Sequence, residues 1–578
     1  MALFSPSESP AVTIKEVDNT GIVPNVQTTT GAFVGNFNWG PVNIPTLVND
    51  EANLVERFSA PDTNTSVDFH TATSFLTYSN SLLTIRAVDG TAANARDSDA
   101  STSATINNRD EFDNQLATLD TNGHTFIGKW KGSLGNSLKV EMCPADSSAS
   151  TIFTNWSYKS KFDAAPGTST YATNKGASND EVHVIVVDED GEFTGTRNTV
   201  LETYPFLSLA SDAKNTDGSS NYLIDVINNQ SSYIWAAGFD SDYTNDAEAG
   251  TDATNGKNYK LTSVATKSVS LKNGANSGTL TPAQINTAYN LIQDKDTYQV
   301  DFLIAPALPA TADSADAIAE NLITIAGTTR KDCVAVISPP KAKVVNNSGN
   351  EVADTVTFAN GLAKSSYAFV DNQHLKIFDK YNDQFIHIPA SGATAGLMAR
   401  SDRDTAPWFS PAGTNRGTYF NVVSLAYNPN KTDRDTLYKA GVNPITNLPG
   451  QGVTLFGDKT MLGRPSAFDR INVRRLFITL ERAISRAAQN VLFELNDEFT
   501  RAEFVNIIEP VLRDVKGRRG LTDFRVVCDA TNNTAAVIDR NEFVATIFIK
   551  PSRSINYVTL NFVATRTGVD FEEVAGQA

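Results

Sequence analysis

From about Tyr298 onward the chain alternates apolar, strand-like runs with helical ones, and that alternation narrows the fold more than any other feature. "YQVDFLIAPAL" reads as a buried strand and "SADAIAENLITIAG" as a helix. "DCVAVISPP" is again a strand, and "TVTFANGLAK" a helix before "YAFVD". Such alternation implies an α/β sheet covered by its own connecting helices. Residues 31–88 follow the same grammar. Short strands broken by Gly and Pro ("GAFVGNFNWGPVNIPTLV") lead into a helix, "SVDFHTATSFLTYS", and a strand, "LLTIRAV". Residues 21–88 and 296–428 therefore read as one interrupted α/β core domain.

The interruption, 89–295, differs in texture. It is dense in Asn, Asp, Ser, Thr and Gly ("DGTAANARDSDASTSATINN", "FDSDYTNDAEAGTDATNGKN"), with brief strands such as "EVHVIVVDEDGEF" between. Long polar loops on short strands predict a β-rich insertion facing the surface. Residues 429–559 read as a separate α+β domain. In "RINVRRLFITLERAISRAAQ", Val473, Leu476, Phe477, Leu480, Ile484 and Ala487 form one apolar stripe, with Arg474, Arg475, Arg482 and Arg486 elsewhere on the helix. A second helix is expected to start at Thr500, with Glu503 completing a capping box. "KGRRG" stops it, and the strands "FRVVCD", "EFVATIFIK" and "INYVTLNFVAT" follow.

Two strand-like runs stand apart at the chain's ends. "AVTIKEV" (11–17) alternates between Pro10 and the turn "DNTG". At the other end Val558, Leu560, Phe562 and Ala564 share one face, and Ile555, Tyr557 and Val563 lie on the other. A strand that is apolar on both faces needs cover on both sides and partners on both edges, and neighbouring sequence supplies neither. The two read as orphan strands.

Bulk composition excludes several classes of function. The 578 residues carry a formal net charge of −17, which argues against direct nucleic-acid binding, since neutralising phosphates needs excess Lys and Arg. The charge is uneven: from Lys459 on, 17 Lys and Arg face 15 Asp and Glu, so the acidity belongs to the preceding residues. Cys143, Cys333 and Cys528 are far apart and form no CxxC, which predicts small buried hydrophobes. Neither a signal peptide nor an 18-residue apolar run is present, so a chain folded in a cytoplasm with no membrane span is expected.

A search for chemistry nominates no site. "GVTLFGDKT" has phosphate-loop spacing, but Asp458 stands where it would repel phosphate, so an ordinary loop is expected. The histidines show no metal spacing, and His374 and His387 share an expected hairpin, "HLKIFDKYNDQFIHI". "DEDGEF" resembles half an EF-hand loop, but its Gly falls too early, which leaves a hairpin turn. No catalytic residue, cofactor or metal is expected.

The residues nevertheless carry a resemblance. "GNFNWGPVNIPTLVNDEANLVERF", "DKYNDQFIHIPASGATAGLMARSD", "WFSPAGTNRG", "SAFDRINVRRLF", "LFELNDEFTR" and "VVCDATNNTAAVIDRNEFVATIFIKPSRSINYVTLNFVATRTGVDFEE" resemble the contractile tail sheath proteins of T4-like myoviruses. The likeness covers the N-terminal region and nearly everything after residue 296. "FIGKWKGSLGNSLKVEM" within the insertion is also sheath-like, whereas residues 89–125 are too short for the outermost decorating domain of that family. The resemblance implies a virion protein, assembled in the host cytoplasm as a homo-oligomeric helical stack of hexameric rings around a tail tube. Tube, baseplate and tail terminator proteins would be its partners. Contraction from a metastable extended state would drive the tube through the host envelope. It also implies that residues 1–20 and 560–578 are β-arms that complete a sheet in neighbouring subunits, with Val12, Ile14, Val17, Leu560, Phe562 and Val563 as contact residues. The domain at 429–559 would then lie innermost, with Arg464, Arg470, Arg474 and Arg475 facing acidic groups of the tube or ion-paired within the sheath. The alternatives are the sheath of a pyocin-like or type VI secretion device and, from another class, an α/β hydrolytic enzyme.

Overall fold

The structure, a computed structural model, describes residues 29–97, 104–121, 124–145, 151–239, 248–259 and 266–556. The chain divides into two compact units. One holds Val26–Pro407 and Pro411–Arg474, and the other gathers Trp408–Ser410 with the chain from Arg475 on. The candidate arm residues Val12, Ile14, Val17, Leu560, Phe562 and Val563 lie outside the described residues.

The first unit is built on a seven-stranded sheet. Its strands run, across the sheet, Val442–Asn443, Ala368–Asp371, Val334–Ile337, Phe302–Ile304, Gly31–Gly35, Leu82–Arg86 and Thr46–Val48. All pairings are parallel except that of the edge strand Thr46–Val48, which is antiparallel. Parallel strands need crossovers, and the helices that supply them cover both faces. On one face Ala32, Val34, Ile85, Leu303, Ala335 and Val370 pack under residues of the helices Pro282–Asn290, Ala312–Thr324, Glu351–Gly361 and Lys431–Lys439. The helices Ser66–Leu76 and Ser391–Asp404 pair with each other and with the sheet. The second of these, "SGATAGLMARSDRD", carries small residues where the first approaches: a Cβ on Gly392 would lie 2.5 Å from Ser74 Oγ, and one on Gly396 would lie 2.5 Å from Tyr78 Cδ2.

Two observed boundaries differ from the expected domain division. The strand Val442–Asn443 joins the central sheet beside Ala368–Asp371, and the first unit runs on to Arg474. The cut expected at 428/429 therefore falls inside it. Helix Pro282–Asn290 also packs in the core cluster through Ile285, Ala288 and Tyr289. Tyr289 is fully buried; its hydroxyl accepts from Val34 N and donates to Ile304 O at 2.5 Å, joining two adjacent strands of the sheet. The insertion therefore ends before residue 282, not at 295.

That insertion is β-rich. It holds a four-stranded antiparallel sheet ordered Lys267–Ser270, Leu138–Pro144, Glu181–Asp188 and Thr199–Ser208. A second, three-stranded sheet is made from Asn94–Arg96, Phe126–Lys131 and Ile234–Ala236. "DEDGEF" is a hairpin turn closed by Asp188, whose carboxylate accepts from Gly191 N, Phe193 N and Thr194 N. Both connections to the core leave from one place, where Asp89 N donates to Ser277 Oγ at 2.9 Å. Arg86 ties the module down. It is fully buried, and its guanidinium donates to Phe37 O, Gly40 O and Lys131 O at 2.7–2.8 Å.

The second unit contains the helix Glu498–Gly517, the strands Leu521–Val527 and Thr546–Pro551, and the short helix Ala535–Ile538. Helix Ile471–Gln489 enters it from the boundary at Arg474. The second long helix starts earlier than its Thr500 signal suggests. Asp497 is its N-cap, with a carboxylate that accepts from Thr500 N at 2.8 Å, so Thr500 is helical and buried. Phe504, Ile508, Leu512 and Val515 form its buried stripe, and Arg519, at φ +66, turns the chain into the following strand. Cys143, Cys333 and Cys528 are all buried.

Candidate functional site

The carboxyl ends of the parallel strands are where an α/β sheet usually opens a ligand crevice. Here protein fills that place. Ser391 Oγ, at the start of its helix, donates to Ala305 O at 2.7 Å. Ser338 Oγ donates to the buried Asp371 carboxylate at 2.8 Å, and Thr394 Oγ1 meets the Tyr419 hydroxyl at 2.8 Å. Burial pushes the Asp371 carboxyl up to about 7, against the lowering pull of Gln373 N and the Ser338 hydroxyl. Burial likewise holds the His374 imidazole down to about 4, with Nε2 hydrogen-bonded to Pro339 O. These groups knit strands to helices, and no pair of them is a nucleophile beside a base.

"GVTLFGDKT" is not shaped to hold phosphate. Gly452–Leu455 is a strand paired with Ile445–Leu448. Lys459 Nζ donates to Tyr438 O at 2.7 Å, and Asp458 Oδ1 accepts from Arg470 and the Tyr438 hydroxyl. The next α-helix begins only at Ile471, and Ile471 N is taken up by Asp458 O at 2.9 Å. Among the described residues, no group of three or more His, Cys, Asp and Glu could hold a metal ion. No described helix is long and apolar enough to cross a membrane.

The four candidate tube-facing arginines separate. Arg464 is exposed. Arg470 is spent on Asp458 at 3.2 Å and on the Tyr438 hydroxyl. Arg474 is buried, with its guanidinium 4.1 Å from the Tyr367 ring centre and 4.0 Å from that of Phe468, and it donates to Ser366 Oγ at 2.7 Å. Arg475 is also buried. The sequence missed this because a helical wheel shows which residues leave the apolar stripe, and says nothing of stacking partners elsewhere in the chain.

What the C-terminal unit does present is a sheet of two strands. Among the described residues Leu521–Val527 pairs only with Thr546–Pro551, from Leu521↔Pro551 to Val527↔Thr546. Helix Glu498–Gly517 packs on this ribbon. Among the described residues neither outer edge has a strand partner. A two-stranded ribbon is marginal alone and offers two rows of unpaired backbone donors and acceptors. The loop behind it is firmly built: Asn533 Nδ2 donates to Val544 O and its Oδ1 accepts from Val544 N, each at 2.8 Å. Trp408 Nε1 closes the far end on Arg518 O at 3.1 Å.

Comparison with known proteins gives this unit its context. The chain matches the phage tail sheath protein central domain over residues 278–461 and the phage tail sheath C-terminal domain over residues 464–565. It is 31% identical to the tail sheath protein of Enterobacteria phage T4, with 99% of each chain covered. It is 32% identical to that of Vibrio phage KVP40, over 98% of this chain and 99% of the other. A sheath tail protein of Listeria innocua shares the fold at a TM-score of 0.53 and 10% identity, covering 91% of this chain and 96% of that one. One from Desulfitobacterium hafniense does so at 0.51 and 12%, covering 94% and 100%. With relatives matched from end to end above 30% identity, the chain belongs to the phage tail sheath family and is a structural subunit of a contractile phage tail.

Proposed function

We propose that this subunit polymerises as stacked hexameric rings around a tail tube, is held extended by its contacts, and contracts to drive the tube through the host envelope for genome ejection. Its partners would be further copies of itself, the tube, the baseplate and the tail terminator, with assembly in the host cytoplasm. Its role would be mechanical and not enzymatic. The observation that carries this reading is the two-stranded ribbon, whose edges have no strand partner among the described residues, beside a sequence that has an orphan strand near each end. Strands from neighbouring copies, carrying Val12, Ile14 and Val17 or Leu560, Phe562 and Val563, would extend the ribbon by backbone hydrogen bonding. Such links keep subunits tethered while other contacts slide, so stored energy lies in the difference between two packings. Arg464 is the candidate for acidic groups on the tube.

Deleting residues 1–18 tests the arms. The expected product has a nearly unchanged thermal melt and forms no tubes by electron microscopy, because the lost strand contributes to another copy's sheet. Normal tubes from the deleted chain would end the arm reading. A large drop in the monomer's melting temperature would show instead that the strand folds back at home.

A further inference from the structure

The C-terminal unit exposes two patches of complementary chemistry. The first is the turn between its long helices, "VLFELNDEF". Leu492, Leu495 and Phe499 are 63%, 77% and 76% exposed, and Phe493 is fully exposed. Phe493 sits at φ +72, a conformation side-chain-bearing residues rarely adopt. The turn is anchored just after its tip: Asn496 Nδ2 donates to Glu542 O at 2.8 Å, and Asp497 caps the following helix. Four large apolar side chains are thus held into solvent, flanked by exposed Glu494, Asp497 and Glu498.

The second patch is the ribbon face that carries Asp523, Arg525, Phe548 and Lys550. Phe548 is 58% exposed and directly opposite Arg525, and Lys550 lies opposite Asp523. Lys516 Nζ already neutralises Asp523 at 3.0 Å. The face is therefore an exposed aromatic ring flanked by two exposed cations, Arg525 and Lys550.

We propose that the apolar, acidic turn at 491–499 of one copy seats on the Arg525–Phe548–Lys550 face of a second copy. Burying the aromatic tips removes apolar surface from water, and Glu494 and Glu498 meet Arg525 and Lys550 in register with it. A turn on one copy that meets a ribbon face on the next is a head-to-tail contact, which propagates into rings or helices instead of stopping at a dimer. It uses the ribbon's face and leaves both edges open, so it can coexist with strand addition. The inference rests on the self-assembly reading above and names a contact which that reading does not contain.

The test uses the full chain. Phe493→Cys together with Phe548→Cys places one thiol on each patch, while Cys143, Cys333 and Cys528 stay buried. Mild oxidation of assembled tubes should give a ladder of covalent multimers on a non-reducing gel. In parallel, Glu494→Lys with Glu498→Lys should abolish tubes, as should Arg525→Glu with Lys550→Glu, and all four substitutions in one chain should restore them. Tubes of the two-cysteine chain that give no ladder, or a disulfide closed within one chain, would overturn this contact and leave the self-assembly reading standing. So would normal self-assembly of the Glu494→Lys, Glu498→Lys chain with loss of tube binding alone, which would assign the turn to the tail tube. A wild-type chain that forms no tubes would sink both readings.

Discussion

Asp371 and His374 sit three residues apart, and burial shifts them in opposite directions. In the folded protein the carboxyl stays protonated up to about pH 7, although an unfolded one ionises near 3.8. Its contribution is therefore fully present below about pH 4 and is lost as pH rises through about 7. The imidazole stays neutral down to about pH 4 instead of 6.5, so its contribution is present above 6.5 and is lost as pH falls through about 4. Between those values the folded pair and the unfolded pair bind the same number of protons, and their slopes cancel. Asp371→Asn should unmask the histidine. Stability of the variant should rise with pH from about 4 to 6.5 by about 1.4 kcal/mol per unit relative to wild type. Denaturant melts of the two chains at intervals between pH 4 and 7.5 would show it, and parallel curves would refute the assignment.

At the scale of elements, the pairing of Ser66–Leu76 with Ser391–Asp404 depends on missing side chains. A Cβ on Gly392 would press into the Thr71 carbonyl oxygen and Ser74 Oγ. Neither side can retreat, since Ser391 is bonded to Ala305 O and Thr71 Oγ1 to Val67 O. Gly392→Val should therefore cost about 1–3 kcal/mol through overpacking, read as a lower melting temperature. A variant as stable as wild type would show that the helices can part. Of these two helices only the first was legible as an element, from "SVDFHTATSFLTYS", while the hairpin "HLKIFDKYNDQFIHI" gave His374–Asp379 and Gln384–Pro389. The start of Glu498–Gly517 was not, because Asp497 outcompetes the later Thr500 signal for the cap. Helix Pro282–Asn290 was assigned to the insertion because its sequence is polar. Its place in the core comes from the packing of Ile285, Ala288 and Tyr289 and from a tyrosine hydroxyl that reaches two strands.

Across the whole molecule, the insertion leaves the core through one neck and also touches it through Trp39, which packs in the insertion's apolar cluster, and Val42 N, which donates to Asn107 O. Removing residues 90–276 and joining Asp89 to Ser277 through a short Gly/Ser linker should leave a soluble chain with a cooperative melt, since helix Pro282–Asn290 and Tyr289 stay. Removing 90–297 takes Tyr289 away and should abolish that melt. The shorter excision also removes the Lys131 carbonyl, leaving one donor of Arg86 without its acceptor. Burial already lowers the Arg86 guanidinium to about 9, and a lost hydrogen bond to a charged group costs about 1.5–3 kcal/mol. Arg86→Met in the shortened chain should recover part of that loss. Equal melts for the two excisions would refute the boundary.

Local residue pattern was enough for the α/β core, the β-rich insertion, the two long C-terminal helices and the family. Strand–helix alternation, polar loop texture and apolar stripes are local patterns, and the family likeness is carried by long ordered runs of residues. The tertiary structure decided where the domains divide and which charges are available. It drew Val442–Asn443 and Pro282–Asn290 into the core and turned Arg470 and Arg474 inward onto Tyr438, Tyr367 and Phe468. It also set Phe493 and Phe548 out in solvent. Whether a side chain is spent within the chain or left for a neighbour depends on groups far away in sequence, and no local pattern records those distances.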